Sequence, residues 1–263
     1  MDADILTCDV AAGVARLVMN RPTKLNALSD AMLAALKAKL SEIAADSTIR
    51  VVILSGAGKA FCAGHDLSEM QAARANPDKG AAYFADLFGR CAEVMQMIPA
   101  LPQPVIAEVH GIATAAGCQL VASCDMAVAA EGTRFGVNGV NIGLFCSTPM
   151  VALTRNIPRK MAFEMLSTGQ FIDARRAEGL GLVNRVVPPE ALVSETDHLA
   201  QQIAAKLSPA VRIGKQAFYQ QAEMGLAEAY RHTGEVMVEN MLWRDTDEGI
   251  AAFLEKRKPD WAE

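Results

Sequence analysis

Apolar and polar positions along the chain place strands first and helices last. Ile5, Thr7 and Asp9 alternate, and after Gly13 the run Val14 to Met19 follows, a pattern that predicts an N-terminal β-hairpin. Arg21-Pro22 breaks it. Met32, Leu33, Leu36, Leu40 and Ile43 then recur at helical spacing behind Ser29, which predicts a helix N-capped by Ser29 and ending near Asp46. Val51-Val52-Ile53-Leu54, closed by Ser55-Gly56, is a continuous apolar run of the kind that forms a strand buried on both faces of a parallel sheet. Beyond a loop at Lys59 to Gly64, a helical stretch runs to about Ile98. Three more strands are predicted at Pro104 to Ala107, Ala127 to Ala130 and Leu182 to Val187, the last stopped by Pro188-Pro189. From Glu190 to Lys258 the period is helical throughout, with Ser208-Pro209 as an N-cap and first turn.

Alternating strands and helices imply an α/β fold, with helices on the faces of a mostly parallel sheet and ligands where loops leave the strand ends. No repeat, low-complexity tract or flexible linker interrupts the chain. The division expected is a core over 1–190 and a helical subdomain over 191–263. Of the 263 residues, 51 % are apolar and 21 % charged, which is the composition of a globular protein. A net charge of −5 lacks the basic excess that a nucleic-acid partner demands. The longest uncharged run, Phe135 to Thr154, contains Asn138, Asn141 and Pro149, so it is expected in the packed interior, not in a membrane. Cys8, Cys62, Cys91, Cys118, Cys124 and Cys146 form no CxxC pair and no zinc-like spacing with His; reduced thiols and no metal site are expected. The acidic start, with Asp2 and Asp4, points to a cytoplasmic address.

Two strand-to-helix loops carry the candidate chemistry: Phe61 to Leu67 and Gly111 to Leu120. Backbone N–H groups in the first turn of a helix lack intrahelical partners and sit at the positive end of its dipole. Two such turns facing one another can bind an oxyanion. The alternative is that Ala-Gly runs only let helix and strand pack closely. No Gly-x-Gly-x-x-Gly follows a strand, so a nucleotide-binding redox enzyme has no support.

The segments Phe61 to Met70 (FCAGHDLSEM) and His110 to Asp125 (HGIATAAGCQLVASCD) resemble the two signatures of the crotonase, or enoyl-CoA hydratase/isomerase, family. The resemblance extends through Arg21-Pro22, Asn26-Ala27-Leu28, Gly181 to Val183 and Phe253 to Pro259, essentially the whole chain. One branch of the family shares AAGCQLVASCD and the GLFCSTP segment, here Gly143 to Pro149. The resemblance implies a crotonase-like ββα spiral core and a C-terminal helical trimerisation region, giving a homotrimer or a dimer of trimers (a hexamer). It implies acyl-CoA thioesters as ligands, with coenzyme A part of the substrate and no separate cofactor. By motif position the backbone N–H groups of His65 and Ala116 would form the oxyanion hole that stabilises a thioester enolate. Lys24, Ala27, Ala63, Asp66 and Gly117 would line the substrate. Phe253 and Lys256 match positions that reach the coenzyme A of a neighbouring subunit, although Lys256 also fits a solvated charge cluster with Glu255, Arg257 and Lys258.

The sequence departs from the family where its hydratases carry two glutamates. Those positions fall on Gln119 and Gly139. Hydration requires a proton taken from water and another delivered to carbon, work suited to paired carboxylates and closed to an amide. Each positioned acid or base contributes roughly 10²- to 10⁴-fold, so a weak hydratase, an isomerase, a non-hydrating acyl-CoA-binding paralogue and a thioesterase all stay open. Gln119→Glu with Gly139→Glu is expected to install hydration if the pocket is otherwise intact. His65 is the candidate substitute acid or base, since imidazole titrates near physiological pH; alternatively only its N–H is used. Asp66 and Glu69 are expected as helix-start carboxylates, His110 as a satisfied buried histidine, Asn138 or Asn141 as a water holder, and Cys146 as a packing thiol.

Overall fold

A computed structural model describes residues 4–262. Strands β1 (Leu6–Ala11) and β2 (Val14–Met19) pair antiparallel, Leu6 opposite Met19 and Ala11 opposite Val14. Their turn holds Ala12 and Gly13, both at positive φ, which matches the right-handed twist of a tight hairpin. The Gly13 carbonyl then accepts the N–H groups of Arg50 and Val51 and so sets the register of β3 (Val51–Gly56). Strands β4 (Val105–Val109), β6 (Met126–Ala130) and β9 (Arg185–Val187) continue in parallel, giving a six-stranded sheet of order β1-β2-β3-β4-β6-β9. A second sheet of β5 (Ile112–Thr114), β7 (Arg134–Gly136) and β8 (Ile172–Asp173) has order β5-β7-β8.

The main sheet is buried on both faces, which is why its strands read as unbroken apolar runs. Leu17, Met19, Val52, Leu54, Val105 and Ala107 face one core with α1 (Asp30–Ala45) and α3 (Ala81–Ala100). Val14, Val51, Ile53, Ile106 and Val128 face a second core with Leu192, Leu199 and Ala200 of α8 (Leu192–Ala204). The predicted first helix is α1, with the Ser29 side chain accepting the Met32 N–H. The helical stretch expected up to Ile98 is two helices, α2 (Leu67–Ala73) and α3. Between them Asp78 accepts the N–H groups of Gly80 and Ala82 in a turn that needs Gly80 at φ +88.

Helix α4 (Ala116–Ser123) follows β5, α5 (Pro149–Asn156) and α6 (Arg159–Thr168) lie between β7 and β8 in sequence, and α7 (Ala174–Leu180) lies between β8 and β9. The fourth predicted strand is shorter than the apolar run that suggested it. Gly181 caps α7 in the left-handed region, Leu182 and Val183 are buried off the ladder, and the Asn184 carboxamide oxygen accepts the Ala127 N–H. The C-terminal helices are α8, α9 (Ser208–Gln221), α10 (Leu226–Met241) and α11 (Arg244–Leu254). Ser208 is the first residue of α9 and Leu207 its cap, one position from the expectation. The Phe135 to Thr154 run is not wholly interior. Phe135 and Val137 are buried, but Ile142, Leu144, Phe145, Met150 and Val151 are exposed on the chain's surface. Among the described residues no helix is long and apolar enough to cross a membrane.

One buried ionic network ties the C-terminal helices to the sheet. Lys215 Nζ of α9 donates to Ile98 O (2.8 Å), Gln103 O (2.9 Å) and Asp125 Oδ2 (2.7 Å). Asp125 also accepts the Tyr219 hydroxyl and the Val105 N–H. Burial pushes the Lys215 ammonium below its ordinary range, against the opposing pull of Asp125. Lys215→Met is expected to strand the Asp125 carboxylate and cost about 3–5 kcal/mol, read as a lowered urea midpoint. An unchanged midpoint would show that the network is dispensable.

Candidate active site

Three loops meet at the carboxyl ends of β2, β3 and β4. After β2, a 3-10 turn at Pro22–Lys24 leads into Leu25 and Asn26, both at positive φ. Asn26 is fully buried and its carboxamide is saturated. Its oxygen accepts the Arg21 N–H (2.9 Å), and its Nδ2 donates to Ala57 O (2.9 Å) and Ala60 O (2.8 Å). Backbone bonds continue the seam: Ala63 N to Leu25 O, Leu28 N to Gly64 O, Phe61 N to His110 O, Cys62 N to Ile112 O and Thr114 N to Cys62 O. The loop after β3 thus lies between the other two as a strand would. Such close approach requires missing side chains: a Cβ on Gly117 would sit 2.2 Å from Cys62 O, and one on Gly111 2.1 Å from Lys59 O. The close-packing reading of the Ala-Gly runs therefore holds, and it is also what brings the loops together.

His65 and Ala116 are among the residues of these turns whose N–H groups have no protein acceptor among the described residues. Ala116 opens α4. Its neighbour Ala115 is held at φ +50, ψ −119, a conformation strained for any residue but glycine, with its own N–H bonded to Gly136 O (2.9 Å). A Cβ on Gly64 would lie 3.3 Å from the Ala116 nitrogen, so the turn carrying His65 abuts the start of α4. Two unpaired donors on adjoining turns can both donate to one anionic oxygen.

The His65 imidazole packs edge-on to the Phe88 ring at 5.7 Å, with Nδ1 3.4 Å from Leu28 O. Its Nε2 is buried and has no hydrogen-bond partner among the described residues. Burial pushes its pKa below the ordinary 6.5, which keeps the ring neutral near neutral pH. Next to it, Asp30 accepts the Tyr83 hydroxyl (3.2 Å) and Arg90 Nη2 (2.8 Å), and Arg90 Nε also meets Asp86 (2.6 Å). Burial and the Asp30 charge push the Tyr83 hydroxyl up to about 12.

Gln119 lies one turn into α4, buried, with its Oε1 unpartnered. Gly139 is buried in a 3-10 turn, Asn138–Ile142, and donates its N–H to Cys146 Sγ. A Cβ there would sit 2.3 Å from Leu144 O and 2.9 Å from Cys146 Sγ. The condition attached to installing hydration by the double substitution, an otherwise intact pocket, meets an obstacle at Gly139, where the Leu144 to Cys146 segment occupies the space a Cβ would need. Asn138 Oδ1 accepts the Thr114 hydroxyl (2.6 Å) and Asn141 Nδ2 donates to Gly169 O (3.3 Å). Cys146 is a packing thiol raised by burial. His110 Nε2 is bonded to Gly58 O (2.9 Å) at a half-buried position.

Asp66 caps α2 through the Ser68 N–H (2.9 Å), and its hydrogen bond from the Ser68 hydroxyl holds its carboxyl below the usual range. Its carboxylate lies 4.0 Å from Lys24 Nζ. Glu69, in the first turn of α2, caps a different helix by accepting the Asp30 N–H at the start of α1. Ala27 and Ala63 lie in the same seam of loops. Phe253 stands apart on α11 with its ring exposed, and Lys256 follows it, exposed. The residue that sequence reasoning passed over is Asn26. Its signal was chemical: asparagine tolerates the left-handed region and carries both donor and acceptor.

Asn26→Asp keeps the acceptor for Arg21 but turns a carboxylate oxygen toward two carbonyls. It is expected to destabilise by at least about 3 kcal/mol in a denaturant titration. Ala115→Gly relieves the backbone strain and is expected to stabilise by about 1 kcal/mol, seen as a higher thermal midpoint. A lower midpoint for Ala115→Gly would show that the strain is not borne at this residue.

The model of the family described as enoyl-CoA hydratase/isomerase matches residues 9–263. The chain is 48 % identical over 249 residues to the enoyl-CoA hydratase domain-containing protein 3, mitochondrial, of Xenopus laevis, covering 95 % of this chain and 83 % of that one. The human protein of the same name is 47 % identical over 95 % of this chain and 81 % of its own length. Among solved structures, an enoyl-CoA hydratase from Mycobacterium smegmatis superposes with a TM-score of 0.95 at 53 % identity, covering 99 % of this chain and 100 % of that one. The human domain-containing protein 3 superposes with a TM-score of 0.93 at 46 % identity, covering 98 % and 100 %. The mitochondrial relatives overturn the cytoplasmic expectation, which rested on an acidic N-terminus that carries no address by itself. The α/β architecture with a parallel sheet and C-terminal helices is the crotonase fold, and the chain belongs to the enoyl-CoA hydratase/isomerase family.

Proposed function

We propose that the protein is an acyl-CoA enzyme that stabilises a thioester enolate between the His65 and Ala116 N–H groups and moves a proton on carbon instead of adding water. The observation that carries this reading is the pair of unpaired donors on adjoining turns, held there by a strained Ala115 and the Gly64 contact. In a site sheltered from water, such preorganised donors stabilise developing negative charge without reorganising, commonly the largest catalytic term. Hydration by paired carboxylates has no support. Gln119 is an amide whose protons are too weakly acidic to transfer near neutrality, and a Cβ at Gly139 would clash with Leu144 O and Cys146 Sγ.

Lys24, Ala27, Ala63, Asp66 and Gly117 line the path of the coenzyme A portion in this reading. Phe253 and Lys256 serve a neighbouring subunit's ligand. The oligomer that would bring them there is supported by α10, which buries no residue in the single chain, and by exposed Leu226, Tyr230, Met237, Val238 and Phe253 on α10 and α11. A trimer or dimer of trimers would cover that face.

Incubation with crotonyl-CoA and a 3-enoyl-CoA in deuterated water, followed by mass spectrometry, is expected to give deuterium incorporation or double-bond migration without net hydration. Ala116→Pro removes one donor at a first helical position where proline is tolerated. A folded Ala116→Pro variant is expected to lose at least about 10²-fold in rate. Rapid hydration by the wild type, or unchanged turnover by Ala116→Pro, would overturn the reading. Binding of both thioesters with no conversion would instead favour an acyl-CoA-binding role.

A further inference from the structure

The C-terminal end of the chain is exposed, yet it is tied down along its length. Asp245, Glu248, Gly249 and Ala252 share one face of α11 at helical spacing, and the residues after the helix run back over that face as a strap. The Glu248 carboxylate accepts Arg257 Nη1 (2.6 Å), Arg257 Nη2 (2.9 Å) and the Asp260 N–H (2.7 Å). Asp245 accepts the Ala262 N–H (3.0 Å), and Arg244 bridges Asp245 to the Asp260 carbonyl. The Trp261 ring lies over Gly249, where a Cβ would sit 3.1 Å from it. The Arg257 hydrogen bonds, and after them the Asp260 N–H, pull the Glu248 carboxyl down to about 2, so the pair stays charged near neutral pH.

What the strap fixes is the chain reversal at Lys256. The Arg257 N–H bonds to Ala252 O (3.0 Å) and the Lys256 N–H to Phe253 O (3.3 Å), the two bonds of a Schellman ending. The left-handed position of that ending, at φ +58, is filled by Lys256, where glycine is the usual and less strained choice. A lysine there gives the turn an ammonium that glycine would not supply. The neighbouring guanidinium groups are taken up by the strap itself, Arg244 by Asp245, and Arg257 by Glu248 and Glu255. Lys256 and Lys258 have no ion partner among the described residues, and both are exposed, as is the Phe253 ring one turn earlier. Free ammonium groups and an exposed aromatic face suit the phosphates and base of a phosphorylated nucleoside, which is the end of coenzyme A remote from its thiol.

We propose that the Glu248–Arg257 pair is a latch that positions Lys256 and Phe253 for the phosphorylated nucleoside of a coenzyme A bound to a neighbouring subunit. The inference rests on the reading above in which those two residues serve that ligand. Glu248 and Arg257 are positioning residues and act through the shape of the turn. A strap ordered beforehand avoids the entropy cost that an unfastened tail would meet on binding. Because the pair is exposed, its release weakens binding without abolishing it.

The test is calorimetric titration of the full-length protein with butyryl-CoA and with butyryl-pantetheine, which keeps the thioester arm and lacks the phosphorylated nucleoside. Glu248→Gln and Arg257→Gln are each expected to weaken butyryl-CoA about fivefold, the effect of one exposed ion pair, and to leave butyryl-pantetheine unchanged. Arg257→Lys, which keeps a cation opposite Glu248, is expected to lose less than Arg257→Gln. Deuterium exchange of the backbone amides in 256–262 is expected to quicken in both Gln variants. Unchanged exchange in both, or equal losses for the two thioesters, would overturn the latch. Lys256→Ala separates the latch from the reading beneath it. Weaker butyryl-CoA binding by Lys256→Ala with wild-type binding by Glu248→Gln and Arg257→Gln would overturn the latch alone. Wild-type binding by all three and by Phe253→Ala, or a monomer in light scattering, would overturn that reading as well.

Discussion

The buried Asn26 carboxamide is the interaction on which the geometry of the site depends. Three chain segments leave adjacent strand ends and must run side by side although none can form a long ladder. A single side chain answers one backbone N–H and two carbonyls that would otherwise be buried unpaired. Once the loop before α1 is fixed to the loop after β3, the backbone bonds from Leu25 to Ala63 and from Leu28 to Gly64 follow in register. The loop after β4 is then added by the bonds at Cys62. The glycines at 111 and 117 do not create this arrangement; they permit the separation that Asn26 and the backbone bonds demand.

Strain is concentrated where this seam meets α4. Ala115 adopts a glycine-like conformation and lies against Gly64, and the consequence is a helix whose first N–H turns toward the neighbouring loop. The cost is carried by the buried core behind it, where α4 packs on α5 and α3. The ionic network of Lys215, Asp125 and Tyr219 holds the opposite end of the same unit, since Asp125 directly follows the cap of α4 and its carboxylate receives the first N–H of β4. The C-terminal helices are therefore coupled to the strand that leads into the second loop.

The legible part of this structure was the part fixed by burial. Strands buried on both faces read as continuous runs, and α1 reads from its Ser29 cap and apolar spacing, because solvent exclusion writes itself directly into residue type. The small second sheet was not legible, since strands as short as Ile172–Asp173 have no period to detect. The break between α2 and α3 was missed because it depends on Asp78 bonding the backbone around Gly80, a local geometry without a hydrophobic signature. Within the site, the family signatures picked out both loops, but the state of Gly139 could not be read from its identity. Whether a glycine marks an empty space or a filled one depends on what packs against it, and here Leu144 O and Cys146 Sγ fill it.

That filled space has an electrostatic consequence. Two carboxylates beside a bound thioester would oppose the growth of negative charge on its oxygen unless one of them stayed protonated. With an amide at 119 and packed backbone at 139, the site presents N–H donors and a neutral imidazole and no carboxylate at either of those positions. Under the enolate reading, enolate formation meets less repulsion, while neither position supplies a carboxylate base for the activation of water. In the proposed reading the same two positions therefore favour proton transfer on carbon over hydration, and the chemistry is set as much by the charges that are missing as by the donors that remain.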